Sequence, residues 1–178
     1  MRNLYKYYVF VDEIDDNLKK KLIQFINIRI IIDIDDDLNN NHLKSIVKFS
    51  KKNKIKFYIK NNYSLATKYG ANGVLITSNN KNNLRPLSLK KEFEIIGAVH
   101  NQLEYFTKRR QNCHLIMFSP LFDNPKYKQN KILKIIKFNL ISKDWKIKVA
   151  ALGGIIHNNS LNKLKLLKIC SIGFKRFN

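Results

Sequence analysis

Two adjacent glycines in AALGGI, at Gly153 and Gly154, give this sequence its clearest means of holding a phosphate. Paired glycines let backbone N–H groups approach an anion closely, and the positive end of a following helix favours the same charge. A tight strand-to-helix turn needs the same residues, so both readings stand. Upstream, FSPLFDNPKYK (118–128) reads as a proline-stiffened loop presenting Asn124, Lys126 and Lys128 to an anion, or as an ordinary polar loop. His100 ends an apolar run, where it can serve as acid, base or hydrogen-bond donor, or as a satisfied structural histidine. In DIDDD, Asp33 and Asp35 share one side of an extended segment, whereas Asp36 and Asp37 suit the start of a helix. Such clustered carboxylates can hold magnesium, although capping accounts for part of the cluster. Ser78 and Ser119 follow strand-like runs without an evident activating base. A Ser-His-Asp order, a GxxxxGK[ST] loop and an HExxH pair are all absent.

These residues act together only if the chain brings them to one surface. Short β-branched or aromatic runs occur at 7–12, 28–34, 55–60, 73–77, 95–100, 114–119, 148–152 and 170–174. They recur after roughly 20 residues, the size of a small strand–helix unit. Helical periodicity fills the intervals. Leu18, Leu22, Ile23, Phe25 and Ile26 make one apolar face; Leu38, Leu43, Ile46, Val47 and Phe49 make the next. Leu103 with Phe106 follows, then Ile132, Ile135, Ile136 and Leu140, then Leu161, Leu164, Leu167 and Ile169. Asp15 and Asn158 stand at N-cap positions.

Eight strands alternating with helices, with no break in composition, predict a single α/β domain over residues 1–178: a compact parallel (β/α)8 barrel. An open doubly wound sheet would carry a glycine-rich loop after its first strand, and Val11-Asp12-Glu13-Ile14 has no glycine. With 178 residues against the ~250 usual for such barrels, helices and loops must be minimal. The eighth strand runs almost to Asn178, which predicts a barrel lacking its last helix, with that flank open or covered by a second copy. In a parallel barrel, functional groups collect at the carboxyl ends of the strands, where the candidates above all fall.

The chain is 44% hydrophobic, enough for a core and against long disorder. No apolar run reaches the ~18 residues of a membrane span, and the N-terminus lacks a secretory cleavage pattern. Cys113 and Cys170 are too few for a disulfide scaffold and too isolated for zinc, so we expect a cytoplasmic domain with reduced thiols and no membrane partner. The net charge of +21 invites nucleic acid. Its lysines are nevertheless spread through helical segments, and no Gly-aromatic RNA-binding signature occurs, so that partner is kept as an alternative rather than favoured.

Several strand ends carry a more specific pattern. YYVFVD (7–12), NNYSLATKYGANGV (61–74), IIGAVH (95–100), FSPLF (118–122), and AALGGI followed by Asn158 or Asn159 occur in order and at matching spacing. In these motifs the chain resembles the thiamine phosphate synthase/TenI family of small (β/α)8 barrels. The resemblance implies coupling of a pyrimidine methyl pyrophosphate with a thiazole phosphate, with magnesium as cofactor. It places thiazole phosphate at Gly153, Gly154 and Gly173, with Asn124, Lys126 and Lys175 nearby. Against the family pattern, Ile31, Asp33 and Asp35 replace a glutamine, an arginine and a lysine that hold pyrophosphate. Asn61 and Asn80 replace metal aspartates, and Leu75 replaces a histidine. Pro120 stands where the tautomerase branch can carry histidine. The expected protein is thus a divergent member with doubtful catalysis and no retained metal residues, binding a thiazole-phosphate-like ligand. The alternatives are a non-catalytic barrel for another small phosphate, and a basic nucleic-acid-associated protein on the same scaffold.

Overall fold

Eight parallel strands close on themselves in chain order: β1 (Lys6–Val11), β2 (Ile28–Ile32), β3 (Lys56–Lys60), β4 (Gly73–Ile76), β5 (Glu94–Val99), β6 (Leu115–Phe118), β7 (Lys148–Leu152) and β8 (Ser171–Phe174). The structure, a computed structural model, describes residues 5–34, 40–82, 92–122, 132–154 and 163–174. β8 pairs with β7 (Ala150 opposite Ser171) and with β1 (Lys6 opposite Ser171), which closes the ring. Each of the eight expected runs is a strand, and the fold is the parallel barrel expected from them.

Alternation along the strands divides the apolar side chains into two sets. One set fills the inside of the barrel: Tyr8, Ile31, Tyr58, Leu75, Ile96, Leu115, Met117, Ala150 and Leu152. The other packs between the barrel wall and the helices, with Val9, Ile30, Ile59, Ile116 and Ile172 meeting Leu22, Ile46, Tyr105 and Phe138. Polar groups close the N-terminal end of the interior. Arg29 Nη1 donates to Tyr8 Oη (2.9 Å), Tyr58 Oη (2.8 Å) and Glu94 Oε2 (2.9 Å), and Tyr58 Oη donates to the same carboxylate oxygen (2.5 Å). Burial first, and then the Glu94 charge, push the Tyr8 phenol up to about 12.

The helices among the described residues are α1 (Asp16–Gln24), α2 (Asn40–Lys52), α3 (Tyr63–Tyr69), α4 (Gln102–Arg110) and α5 (Lys134–Ser142). Asp15 caps α1 as expected, accepting from the Leu18 N–H at 2.6 Å. The apolar faces of several helices are narrower than their periodicity predicts. In α1 and its exit, Leu22 is buried but Ile23, Phe25 and Ile26 are exposed. In α4 the buried residues are Tyr105 and Lys108, while Leu103 and Phe106 face outward; in α5 Ile136 and Leu140 are exposed. A short helix on a barrel touches the wall along one stripe only, so residues at the stripe's margin stay wet. The last helical pattern (161–169) forms little more than a turn at 163–167 among the described residues, with Leu164 and Leu167 buried. Asn158 lies outside them. α3 was not anticipated from periodicity, because it is short and only Leu65, Ala66 and Tyr69 turn toward the core. Its ends define it instead: Asn62 accepts from the Leu65 N–H, and Gly70 ends it in a left-handed conformation (φ 66°).

Candidate functional site

The carboxyl ends of the strands form a mouth with two differently built halves. Around β5, β6 and β7 the loops are laced by backbone bonds. The Leu121 N–H donates to Leu152 O (3.0 Å), the Phe122 N–H to Gly153 O (3.2 Å), and the Leu133 N–H to Pro120 O (2.9 Å). Ser119–Pro120 is a cis peptide. Gly153 and Gly154 both have left-handed backbone (φ 95° and 70°), a conformation that costs little only without a Cβ. A Cβ on Gly153 would also lie 3.2 Å from Pro120 Cα. Gly173 is buried in β8 opposite Leu152, where a Cβ would crowd the end of that leucine side chain at 2.9 Å.

His100 sits at the end of β5 beside this loop. Its ring Nδ1 lies 2.9 Å from the Ser119 carbonyl and 3.2 Å from Ser119 Oγ. With the proton on Nδ1 the ring donates to that carbonyl, and in that tautomer the same nitrogen cannot take a proton from the serine. The sequence shows no evident activating base for Ser119, and the fold sets the His100 ring beside its hydroxyl. The backbone around His100 is fixed by its own N–H donating to Glu104 Oε2 (2.7 Å). A reciprocal cap, Asn101 Oδ1 with the Glu104 N–H and Asn101 Nδ2 with Glu104 Oε1, holds the start of α4.

The half formed by β2, β3 and β4 is held by its own side chains. Asp33 Oδ1 is ion-paired and hydrogen-bonded to Lys60 Nζ, with both side chains about three-quarters buried. Asn61, itself left-handed (φ 55°), accepts on Oδ1 from the Thr77 N–H (3.0 Å) and from Asn80 Nδ2 (3.3 Å), and its amide donates to Thr77 Oγ1 (3.1 Å). Behind them, Lys108 is fully buried and donates to Asn80 O (2.6 Å) and Gln111 Oε1 (3.0 Å). Burial lowers its pKa from the ordinary lysine value. Gln111 Nε2 donates to Asn80 O and Asn82 O, so α4 anchors the loop after β4 from outside the barrel.

The sequence-predicted residues thus fall into separate groups. Gly153 and Gly154 share a laced quadrant with His100 and Ser119, and Asp33 and Asn61 belong to the other half. Asp35, Asn124, Lys126 and Lys175 lie outside the described residues. Lys60, Thr77, Lys108 and the Arg29–Glu94 pair were not anticipated. Lys60 alone was within reach, since pairing β2 with β3 in parallel sets Asp33 next to it, one step beyond Ile32 opposite Ile59.

Among solved structures, the chain is similar to a thiamine phosphate pyrophosphorylase from Pyrococcus furiosus (TM-score 0.73, 14% identity, covering 97% of this chain and 85% of that one). It is also similar to a thiamine phosphate pyrophosphorylase from Bacteroides thetaiotaomicron (TM-score 0.64, 14% identity, 96% and 82%). A citrate synthase variant gives TM-score 0.68 at 9% identity (96% and 86%), so likeness of this order marks a shared barrel and not a shared reaction. No curated protein matches the sequence. The family described as thiamine monophosphate synthase, in contrast, matches residues 6–167, nearly the whole barrel, and the chain belongs to that family.

Proposed function

We propose that the mouth of this barrel binds a small phosphorylated ligand of the thiazole-phosphate kind, and that the family's coupling reaction is weak or absent. The observation that carries this reading is the left-handed pair Gly153–Gly154, tied to the cis-proline loop 119–122. The glycines of that turn carry no side chain of their own between backbone and anion, which suits the close backbone approach that phosphate binding requires. Gly173 flanks it, and Asn124, Lys126 and Lys175 would add donors and charge. A cytoplasmic setting fits the two free thiols, Cys113 and Cys170.

The half formed by β2 to β4 is where the reaction would need cations and metal. Asp33 takes up Lys60 there, so a lysine that could meet pyrophosphate is neutralised by its neighbour. Magnesium does not fit the donors beside it. Asn61 and Asn80 offer neutral amide oxygens, and the Asn61 oxygen is already shared with Thr77 and Asn80. Loss of one well-placed donor to developing charge already costs roughly a hundredfold in rate.

Melting shifts with thiazole phosphate and with sulfate, on the wild type and on Gly154→Asp, test the binding half. Thiazole phosphate should stabilise more than sulfate, and the variant should lose that preference while still folding. Equal stabilisation by the two anions would remove the site. Turnover at ordinary enzyme rates with both family substrates and magnesium, or complementation of a synthase-null strain, would overturn the catalytic half.

A further inference from the structure

Lysines open three strands on the side that faces the barrel axis. Tyr8, Tyr58 and Ala150 belong to the interior cluster, and Lys6, Lys56 and Lys148 precede them by two residues on β1, β3 and β7. Arg29 stands directly opposite Lys56 in the β2–β3 register, placing like charges side by side. Glu94, the carboxylate facing this collar among the described residues, is engaged by Arg29 and Tyr58. Next to the collar, a cavity of 460 Å³ opens between the ends of α1 and α2 and the starts of β1, β2 and β3. Lys6, Arg29, Lys54 and Lys56 line it together with Asn27 and Phe25, and no described carboxylate does.

Two ordinary causes explain only part of this. Cations at helix C-termini, such as Lys51, Lys52, Arg109 and Arg110, complement the helix dipoles, but Lys6, Lys56 and Lys148 begin strands. A chain-wide excess of lysine would scatter cations without moving the carboxylates. Here Asp12, Glu13, Asp15, Asp16, Asp33 and Glu104 all lie toward the mouth. The described carboxylates at the other end are Glu92, Glu94 and Asp144.

We propose that the N-terminal end of the barrel holds a second, phosphate-binding site, distinct from the mouth, whose ligand is a nucleotide. Lys6, Lys54 and Lys56 meet its phosphates, and half-exposed Phe25 with the Asn27 amide meets its base. The cavity volume lies in the range of small-ligand pockets. A free nucleoside triphosphate and a nucleotide within a nucleic-acid strand offer the same chemistry there.

Binding of ATP, of thymidine oligonucleotides of increasing length and of sulfate is measured by titration at constant ionic strength. Lys6→Glu with Lys56→Glu is compared with a control of equal charge change, Lys44→Glu with Lys48→Glu, on the exposed face of α2. The first pair should weaken nucleotide binding about tenfold or more and the control pair little, because screening confines the effect to within about 10 Å. Affinity that rises with oligonucleotide length assigns the strand as source; affinity already complete with ATP assigns the free nucleotide. Equal weakening by both pairs, or sulfate competing as well as ATP, would overturn the site. The milder pair Lys6→Gln and Lys56→Gln should give the same ordering if charge reversal impairs folding. Binding by anionic vesicles alone, with no nucleotide response, also refutes it.

Discussion

Removing Arg29 tests whether the polar closure of the barrel interior is a coupled unit. In Arg29→Met the Glu94 carboxylate keeps the Tyr58 hydroxyl but loses its counter-charge, and Tyr8 loses a charged donor. Breaking a buried ion pair by deleting one partner costs about 3–5 kcal/mol, whereas exposed pairs are worth about 0–1 kcal/mol. The Arg29 side chain is 13% exposed and that of Glu94 28%, nearer the buried case but open to some solvent. A loss of about 3 kcal/mol is therefore expected. For a domain of this size that lowers the melting temperature by about 6–12 °C. Urea unfolding followed by circular dichroism gives the free energy, and a cycle with Glu94→Gln isolates the pair. The double variant should be less destabilised than the sum of the singles, with a coupling of about 1–3 kcal/mol. A loss below about 1 kcal/mol for Arg29→Met, or strictly additive singles, would refute the reasoning and reduce the network to a surface-like contact.

Three further outcomes are expected. Tyr8 ionises at about 12 when folded, against about 10 when unfolded, so the unfolded chain gives up its proton first as pH rises. Its contribution, of order 3 kcal/mol, is intact below pH ~10 and lost between pH ~10 and 12, which unfolding measured against pH together with ultraviolet phenolate absorbance would check. Gly153→Ala puts a Cβ on a left-handed residue against Pro120 and should cost about 1–3 kcal/mol in urea unfolding, more than Gly173→Ala, which meets only the movable end of Leu152. Asn61→Asp with Asn80→Asp turns an amide bracket into a carboxylate pair; 10 mM magnesium should then raise the variant's melting temperature by about 3 °C or more and leave the wild type unmoved.

The closed barrel was legible because its cause is local and repeated. Apolar β-branched runs such as Ile28–Ile32 are buried on both faces and cannot be satisfied by any one-sided sheet, and their regular return around helical stretches leaves few topologies. Gly153 and Gly154 were legible for a related reason, since adjacent glycines after a strand mark a backbone that side chains would forbid. What the sequence could not determine was partnership across the ring. Asp33 read as a free carboxylate until β3 brought Lys60 beside it. His100 gained the Ser119 carbonyl and hydroxyl as neighbours only through the β5–β6 pairing. Lys108 looks in sequence like any lysine on an outer helical face, yet tertiary packing buries it, because the carbonyl of Asn80, distant in the chain, is there to receive its ammonium. Strand identity is settled by interactions within a few residues, whereas the charge and protonation of a site are settled by neighbours that only closure of the barrel supplies.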